Sequence, residues 1–248
     1  MIILKSESEI AAMRKAGRVV AQAHALVRER LRPGVTTADI DSWVEEFLRR
    51  QGAVSAFKGY QGYPACTCTS VNDEVVHGIP GPRVLEEGDI VSVDIGAFVD
   101  GFCGDMAWTY PVGQVSELAQ KLLRVTEEAL MKGIAQAVAG NRLSDIGHAV
   151  QTHVEAAGFW VVKSFVGHGI GRSMHEAPQV PNFGRPGRGP RLKVGMTLAI
   201  EPMVNVGTDE VRILDDNWTA VTADGSLSAH FEHTVAVREG YAEILTAL

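Results

Sequence analysis

"LEEGDIVSVD" (residues 85–94) and "LKVGMTLAIE" (residues 192–201) decide how this chain folds. Each runs leucine, two residues, glycine, five residues, carboxylate, and the two stand 107 positions apart. After each glycine comes an apolar run of strand length that ends in an acid, Asp94 in the first and Glu201 in the second. Working outward, His77-Gly78-Ile79 precedes the first stretch and His168-Gly169-Ile170 the second. Further upstream each has a pair of helices. "SESEIAAMRKAGRVVAQAHALV" opens on a capping box, Ser6 and Glu9, and carries Ile10, Met13, Gly17, Val20 and Val27 at helical spacing. "TTADIDSWVEEFLRRQG" starts at a Thr cap, turns Ile40, Trp43, Val44, Phe47 and Leu48 inward, and stops at Gly52. The second pair runs from near Ser116 to near Gly140, then from a cap at Ser144 to Gly158. Gly34, Asp39, Ile40 and Gly52 recur 106 residues later as Gly140, Asp145, Ile146 and Gly158.

A single such match is cheap by chance, but the shared order is not: helix, helix, glycine stop, His-Gly-Ile, strand, acid. The expectation is an α+β fold made of two helix-helix-strand halves, about 6–110 and 116–240, within one domain spanning 1–248. Packing about a pseudo-two-fold axis would give a central, mainly antiparallel sheet with the helices outside it. Two independent tandem domains are the alternative, but no linker separates the halves.

"DIVSVDIGAFVDGFCGDMAWTY" (89–110) reads as a hairpin about Asp100-Gly101, a favoured two-residue turn. That turn pairs Val99 with Phe102 and Gly96 with Asp105, and leaves open space opposite Asp105 at Gly96. Side chains alternate along a strand, so Asp94 and Asp105 become diagonal neighbours on one face, about 7–8 Å apart at the backbone. The second half supplies Glu201 in the place of Asp94, then Glu232 beyond a longer hairpin. Four carboxylates converging on one pocket demand protonation, hydrogen bonding or cations. Two divalent ions with a bridging hydroxide would balance them, and His168 adds a nitrogen donor. Oxygen donors with one imidazole and no thiolate suit Mn, Fe, Co or Zn. A salt bridge or a solvated strand end is the bland reading of any one of these acids alone.

The bulk properties narrow the class. The 248 residues carry a formal net charge of −7, which gives no bulk attraction to DNA or to an anionic membrane. No stretch has the length of a membrane span, and the N-terminus lacks a secretory pattern. Three cysteines, Cys66, Cys68 and Cys103, fit a reducing, cytoplasmic setting. Two of them, Cys66 and Cys68, do not close a structural zinc site, and packing is their expected role.

Asp94, Asp105, His168, Glu201 and Glu232, together with "GHGIGRSMHE", "AIEP" and "FEHTVAV", resemble the type I methionine aminopeptidases over nearly the whole chain. "GYQGYP", "SVNDEVVHGIP" and the text at 216–233, where Asn217 replaces a glycine, belong to the same resemblance. It implies the pita-bread fold and metal-dependent removal of an N-terminal methionine when the second residue is small. Asp94 would chelate one ion, Asp105 and Glu232 would bridge two, and His168 and Glu201 would complete the shells. His175 and His77 would contact substrate, and Glu201 would shuttle the proton. The methionine pocket would be Phe57, Tyr60, Tyr63, Cys68, Met174, Trp218 and His77, with Met174 and Phe57 departing from the best-known bacterial pattern. Asn72 and Ser228 would match a monovalent-cation site, and Co or Mn would support activity in vitro. Nascent polypeptides would be the substrates of a monomeric enzyme.

The other histidines divide by position. His24, His148 and His153 fall in helices and are expected to be packed or solvated, whereas His230 shares the parity of Glu232 and is an outer-shell candidate. His233 should face the other way. "FGRPGRGPRLK" (183–193) reads as a solvated connection, or as a transient ribosome contact through Arg185, Arg188 and Arg191. The chain begins directly at the catalytic unit, which argues against prolidases and Xaa-Pro aminopeptidases, the first alternative. A catalytically dead peptide- or ribosome-binding homologue is the second, and the complete set of five donors argues against it.

Overall fold

The computed structural model describes residues 1–248. Helices α1 (Glu7–Arg30) and α2 (Thr37–Arg50) come first. Strands β1 (Val54–Ser55), β2 (Cys68–Val71), β3 (Glu74–Val76), β4 (Ile90–Val99) and β5 (Phe102–Pro111) follow. The second half opens with α3 (Glu117–Gln136) and α4 (Leu143–Ala156). It continues with β6 (Trp160–Val161), β7 (Gly167–Gly169), β8 (Glu176–Val180), β9 (Thr197–Ile200) and β10 (Met203–Asn205). It ends with β11 (Val211–Ile213), β12 (Ala220–Thr222), β13 (Ser228–His230), β14 (His233–Val237) and β15 (Ala242–Ile244).

The helix signals are local and act locally. Ser6 and Glu9 satisfy each other's backbone N–H groups at the start of α1, and Thr36 and Asp39 do the same for α2. Ile40, Val44 and Leu48 are buried along α2, while Trp43 and Phe47 are only half-buried at the edge of that stripe. Two expected boundaries shift. Helix α3 ends at Gln136, before the glycine. Helix α4 begins at Leu143, and the cap is Arg142, whose N–H donates to Asp145. Ser144 lies inside the first turn and bonds instead to the backbone of Arg188. Arg142 lies 106 residues after the Thr36 cap, so the two helices start at equivalent positions.

Equivalent hydrogen bonds tie each helix pair to the segment ahead of its acid-bearing strand. Gly34 N–H donates to Leu85 O, and Gly140 N–H to Leu192 O. Thr37 N–H donates to Arg83 O, and Leu143 N–H to Pro190 O. The basic loop therefore has a structural task, because its carbonyls accept the free N–H groups at the start of α4. Its arginines remain exposed.

All strand pairs are antiparallel, in four hydrogen-bonded sheets. One orders β1, β4 and β2, with β5 also on β4; another runs β15-β14-β9-β7-β8. The expected single sheet is thus divided into four ladders, many of them of short strands. The two larger sheets meet at a seam between β5 and β14. There Glu232 N–H donates to Ala107 O, and the Thr234 hydroxyl bridges the backbone N–H and carbonyl of Asp105. The hairpin β4–β5 has the expected register, Val99 with Phe102 and Gly96 with Asp105. Its turn residues Asp100 and Gly101 both have positive φ, 50° and 78°, as a primed turn requires. The second hairpin is interrupted: β9–β10 pairs with β13–β14, and β11–β12 is inserted and laid against β3.

Apolar packing follows the halves. Helices α1 and α2 share a cluster with β4 and β5, and α3 and α4 share another with β9 and β14. A third cluster, with Phe57, Tyr63, Cys68, Ile170 and Met174, lies between segments of both halves and forms the wall of the main cavity.

Candidate metal centre

The main cavity has a volume of about 530 Å³. Asp94, Asp105, His168, Glu201 and Glu232 all line it, as do His77, His175, Phe57, Tyr60, Tyr63, Cys68, Met174 and Trp218. Each donor reaches it from a different place. Asp94 and Asp105 point from β4 and β5, with Asp94 paired to Ala107 and Asp105 to Gly96. The space opposite Asp105 is not open, however. A Cβ on Gly96 would lie 2.7 Å from the Phe57 ring and 3.1 Å from Asp105 Oδ1. Glycine is there so that the pocket wall and the carboxylate can meet.

Glu201 follows the last residue of β9, and Glu232 precedes the first of β14. His168 sits in the middle of β7, between β8 and β9. Its flanking glycines serve packing: a Cβ on Gly167 would lie 2.3 Å from Ala199 O, and one on Gly169 2.3 Å from Ala177 O. The His168 Nδ1–H donates to Gly169 O at 2.9 Å, which leaves the Nε2 lone pair facing Glu201 Oε1 at 3.5 Å. His77 is held at φ 62°, and a Cβ on Gly78 would lie 2.2 Å from Thr69 O. In both His-Gly-Ile copies the glycine allows close backbone approach.

Donor atoms of Asp105, His168 and Glu232 lie within 4.8 Å of one another, and so do those of Glu201, His230 and Glu232. Asp94 Oδ1, Asp105 Oδ1, Glu232 Oε1 and His230 Nε2 are buried without a hydrogen-bond partner. Such groups are expensive to desolvate unless something else satisfies them. Burial raises the pKa of Asp94, Glu201 and Glu232 well above the carboxylate range, and the neighbouring Asp105 carboxylate raises each further. Asp105 itself is pushed up to about 7 by burial. Burial also lowers His168 to about 4, so its ring is neutral and able to ligate at pH 7. Buried oxygens with no partner, crowded acids and a neutral imidazole with a fixed tautomer fit divalent cations.

The neighbouring groups are ordered too. The Tyr60 hydroxyl lies 2.9 Å from His175 Nδ1, and the His175 and His168 rings are 4.3 Å apart. Tyr63 is buried, with its hydroxyl donating towards Thr67 O and Gly78 O. It meets the Trp218 ring edge-on at 5.0 Å. Asn217 reaches φ 63°, which asparagine tolerates and which explains why it can stand where a glycine was expected. His230 is 2% exposed, with Nε2 at 3.4 Å from Glu201 Oε2. His233 faces away, bonded to Thr246 and against Trp108. His24 is packed, while His148 and His153 lie at the surface of α4.

Asn72 and Ser228 adjoin each other outside the cavity. Ser228 N–H donates to Asn72 O, and the Asn72 side chain is engaged with Asp89 and Ile90. All three cysteines are free and buried, and Cys66 is not in the cavity wall. The cavity also includes Gln61, Val166, Glu176 and Gln179, which sequence reasoning missed. Gln179 and Glu176 belong to β8, whose central Pro178 argued against a strand there.

A profile of metallopeptidase family M24 matches residues 11–239. The chain is 56% identical over 248 residues to the methionine aminopeptidase of Clostridium perfringens, covering 100% of both. It is 54% identical over 246 residues to methionine aminopeptidase 1 of Bacillus subtilis, covering 99% of both. A crystal structure of methionine aminopeptidase from Thermotoga maritima superposes with a TM-score of 0.98 at 51% identity over 100% of both chains. An Xaa-Pro dipeptidase from Bacillus anthracis shares the fold, with a TM-score of 0.79 at 24% identity, and this chain covers 62% of it. With five donors converging on one cavity and full-length identity above one half, the chain belongs to metallopeptidase family M24, among its methionine aminopeptidases.

Proposed function

We propose that residues 1–248 form one catalytic unit that hydrolyses the first peptide bond of polypeptides beginning with methionine followed by a small residue. The carrying observation is the set of buried, unpaired carboxylate oxygens beside a neutral His168 in a cavity partly walled by Phe57, Tyr63, Cys68, Met174 and Trp218. Asp94, Asp105, His168, Glu201 and Glu232 would hold two divalent ions, Mn, Fe, Co or Zn, with Asp105 and Glu232 shared. When bound, such ions supply Lewis acidity, lowering the pKa of water and polarising the scissile carbonyl.

The remaining roles belong to the chain. Phe57, Tyr63, Cys68, Met174 and Trp218 receive the methionine side chain, whose flexible, polarizable thioether suits such walls. Tyr60 orients His175, which donates to the carbonyl oxygen as negative charge develops there. His77 hydrogen-bonds the scissile amide. Glu201 takes a proton from the attacking water and returns it to the departing amine. The expected surroundings are a monomer in the cytoplasm meeting nascent chains, with Arg185, Arg188 and Arg191 available for a transient ribosomal contact. No helix is long and apolar enough to cross a membrane.

The test is a peptide panel after loading with Mn or Co. Met-Ala-Ser should be cleaved with kcat/KM at least about 100-fold above both Met-Leu-Ser and Ala-Pro-Ser. Preferential cleavage of Ala-Pro-Ser would instead support the Xaa-Pro reading. No cleavage of any peptide with any metal would support a dead homologue.

A further inference from the structure

The segment before α1 reaches the cavity from outside. Lys5 is a lysine with its side chain only 4% exposed, and its ammonium is paired with Glu176, whose side chain is 10% exposed. A buried charge pair of this kind is weak evidence for stability, because desolvation offsets much of the attraction. Its position suggests another use. Glu176 follows His175 directly and lines the cavity. While one carboxylate oxygen holds Lys5, the other accepts the backbone N–H groups of Arg172 at 2.9 Å and Ser173 at 3.3 Å. Gly171 N–H closes the same turn on Ser173 O at 3.0 Å. The loop 171–176 is thus wound around a single carboxylate, and it carries both Met174 and His175.

Two glycines show how closely the parts are fitted. A Cβ on Gly171 would lie 2.4 Å from Lys5 Cε and 2.7 Å from Glu176 Oε1. A Cβ on Gly195 would lie 2.7 Å from Lys5 O. Lys5 N–H donates to Gly195 O at 2.7 Å, and Gly195 N–H donates to Val237 O at 3.2 Å. Lys5 is therefore anchored by its backbone to the connection just ahead of β9 and, through it, to β14. Those two strands lead to Glu201 and Glu232. One chain of contacts joins the platform bearing these acids to the loop bearing His175.

We propose that Lys5 and Glu176 are positioning residues: a latch that holds the 171–176 loop so that His175 and Met174 face the reacting bond. Lys5 lies outside the cavity wall, and Glu176 spends both carboxylate oxygens on Lys5 and the loop. The latch deepens the aminopeptidase reading and rests on it, but its first measurement does not depend on activity. In the full chain, amide hydrogen exchange at Arg172 and Ser173 should be slow, and at least tenfold faster in Glu176→Leu and in Lys5→Met/Glu176→Leu. Unchanged protection at both amides would overturn the latch whatever peptides are cleaved.

The second measurement separates positioning from stability. Lys5→Met/Glu176→Leu removes both charges and the acceptor, whereas Lys5→Met/Glu176→Gln removes the charges and keeps an acceptor oxygen for the loop. Both leave no unpaired buried charge, so both should fold. The leucine variant should lose at least tenfold in kcat on Met-Ala-Ser with its metal content and melting temperature near wild type. The glutamine variant should recover only part of that loss, and the remainder is the share of the latch that Lys5 holds. Equal activity in the two variants, or activity that simply follows melting temperature, would overturn the proposal.

Discussion

At the scale of single residues, Glu201 and His230 make the sharpest contrast. Glu201 is the proposed proton carrier, so Glu201→Gln should reduce kcat by about 10²–10⁴-fold on Met-Ala-Ser. Metal analysis should accompany the kinetics, and wild-type turnover at full metal loading would remove the role. His230 is different: its Nε2 is buried without a partner, 3.4 Å from Glu201 Oε2. A ring so placed is expected to steady the carboxylate. His230→Leu is expected to weaken metal affinity about 10- to 100-fold, and His230→Gln, which keeps a polar group, less so. Titration of metal-free protein with Mn checks this, and equal affinities in all three proteins would refute it. Strand parity marked His230 as a neighbour of Glu232, but its orphaned nitrogen is a property of the folded surroundings. Tyr60 was placed in the pocket only by the family resemblance, and its contact with His175 was decided by the fold.

At the scale of elements, helix α1 approaches β5 so closely that the contact is backbone on backbone. A Cβ on Gly17 would lie 2.2 Å from Leu245 O, and one on Gly104 would lie 2.7 Å from Gly17 N. Gly17→Ala should therefore destabilise the protein by more than about 2 kcal/mol, against the gain of helix propensity that alanine ordinarily brings. Urea unfolding measures the difference, and a neutral or stabilising result would show that α1 can retreat. The sequence placed Gly17 in an apolar stripe without revealing that backbone would fill its place. Capping boxes at Ser6 and Thr36 and the Asp100-Gly101 turn were legible because their signals are local. The cap of α4 was misread because Ser144 looked suitable, whereas the loop at 188–190 already satisfied that helix end through the Arg188 and Pro190 carbonyls.

At the scale of the whole molecule, metal and proton binding should both move stability. The crowded acids favour binding of cations by the native state alone, so saturating Mn should raise the melting temperature of metal-free protein. At about 1,000 times Kd the gain is roughly 4 kcal/mol, or on the order of 10 °C for a chain of this size. No shift with Mn, Co, Fe or Zn would contradict the metal centre. On the far side of β5, His24 is buried, with Nε2 at 2.8 Å from Met106 O and Nδ1 at 3.0 Å from the Tyr110 hydroxyl. Burial lowers its pKa to about 4 from 6.5. The fold holds the neutral ring, and the unfolded chain takes up the proton first. This stability is complete above pH 6.5 and is lost as pH falls towards 4, by roughly 3 kcal/mol. In metal-free protein, His24→Gln should flatten the acid limb of urea-unfolding stability by that order. An unchanged slope would mean that His24 stays protonatable in the fold.

The sequence by itself determined the helices, the β4–β5 hairpin, the duplicated order and the candidate donors, since caps, turns, strand parity and repeat spacing all depend on nearby residues. It also determined the family, because five donors with their flanking motifs survive as a pattern. Only the tertiary structure decided that Gly96 is filled by Phe57, that His168 presents Nε2, and that Lys5 reaches Glu176. Those facts arise where residues far apart in the chain compete for the same few ångströms, and no local signal records who occupies them.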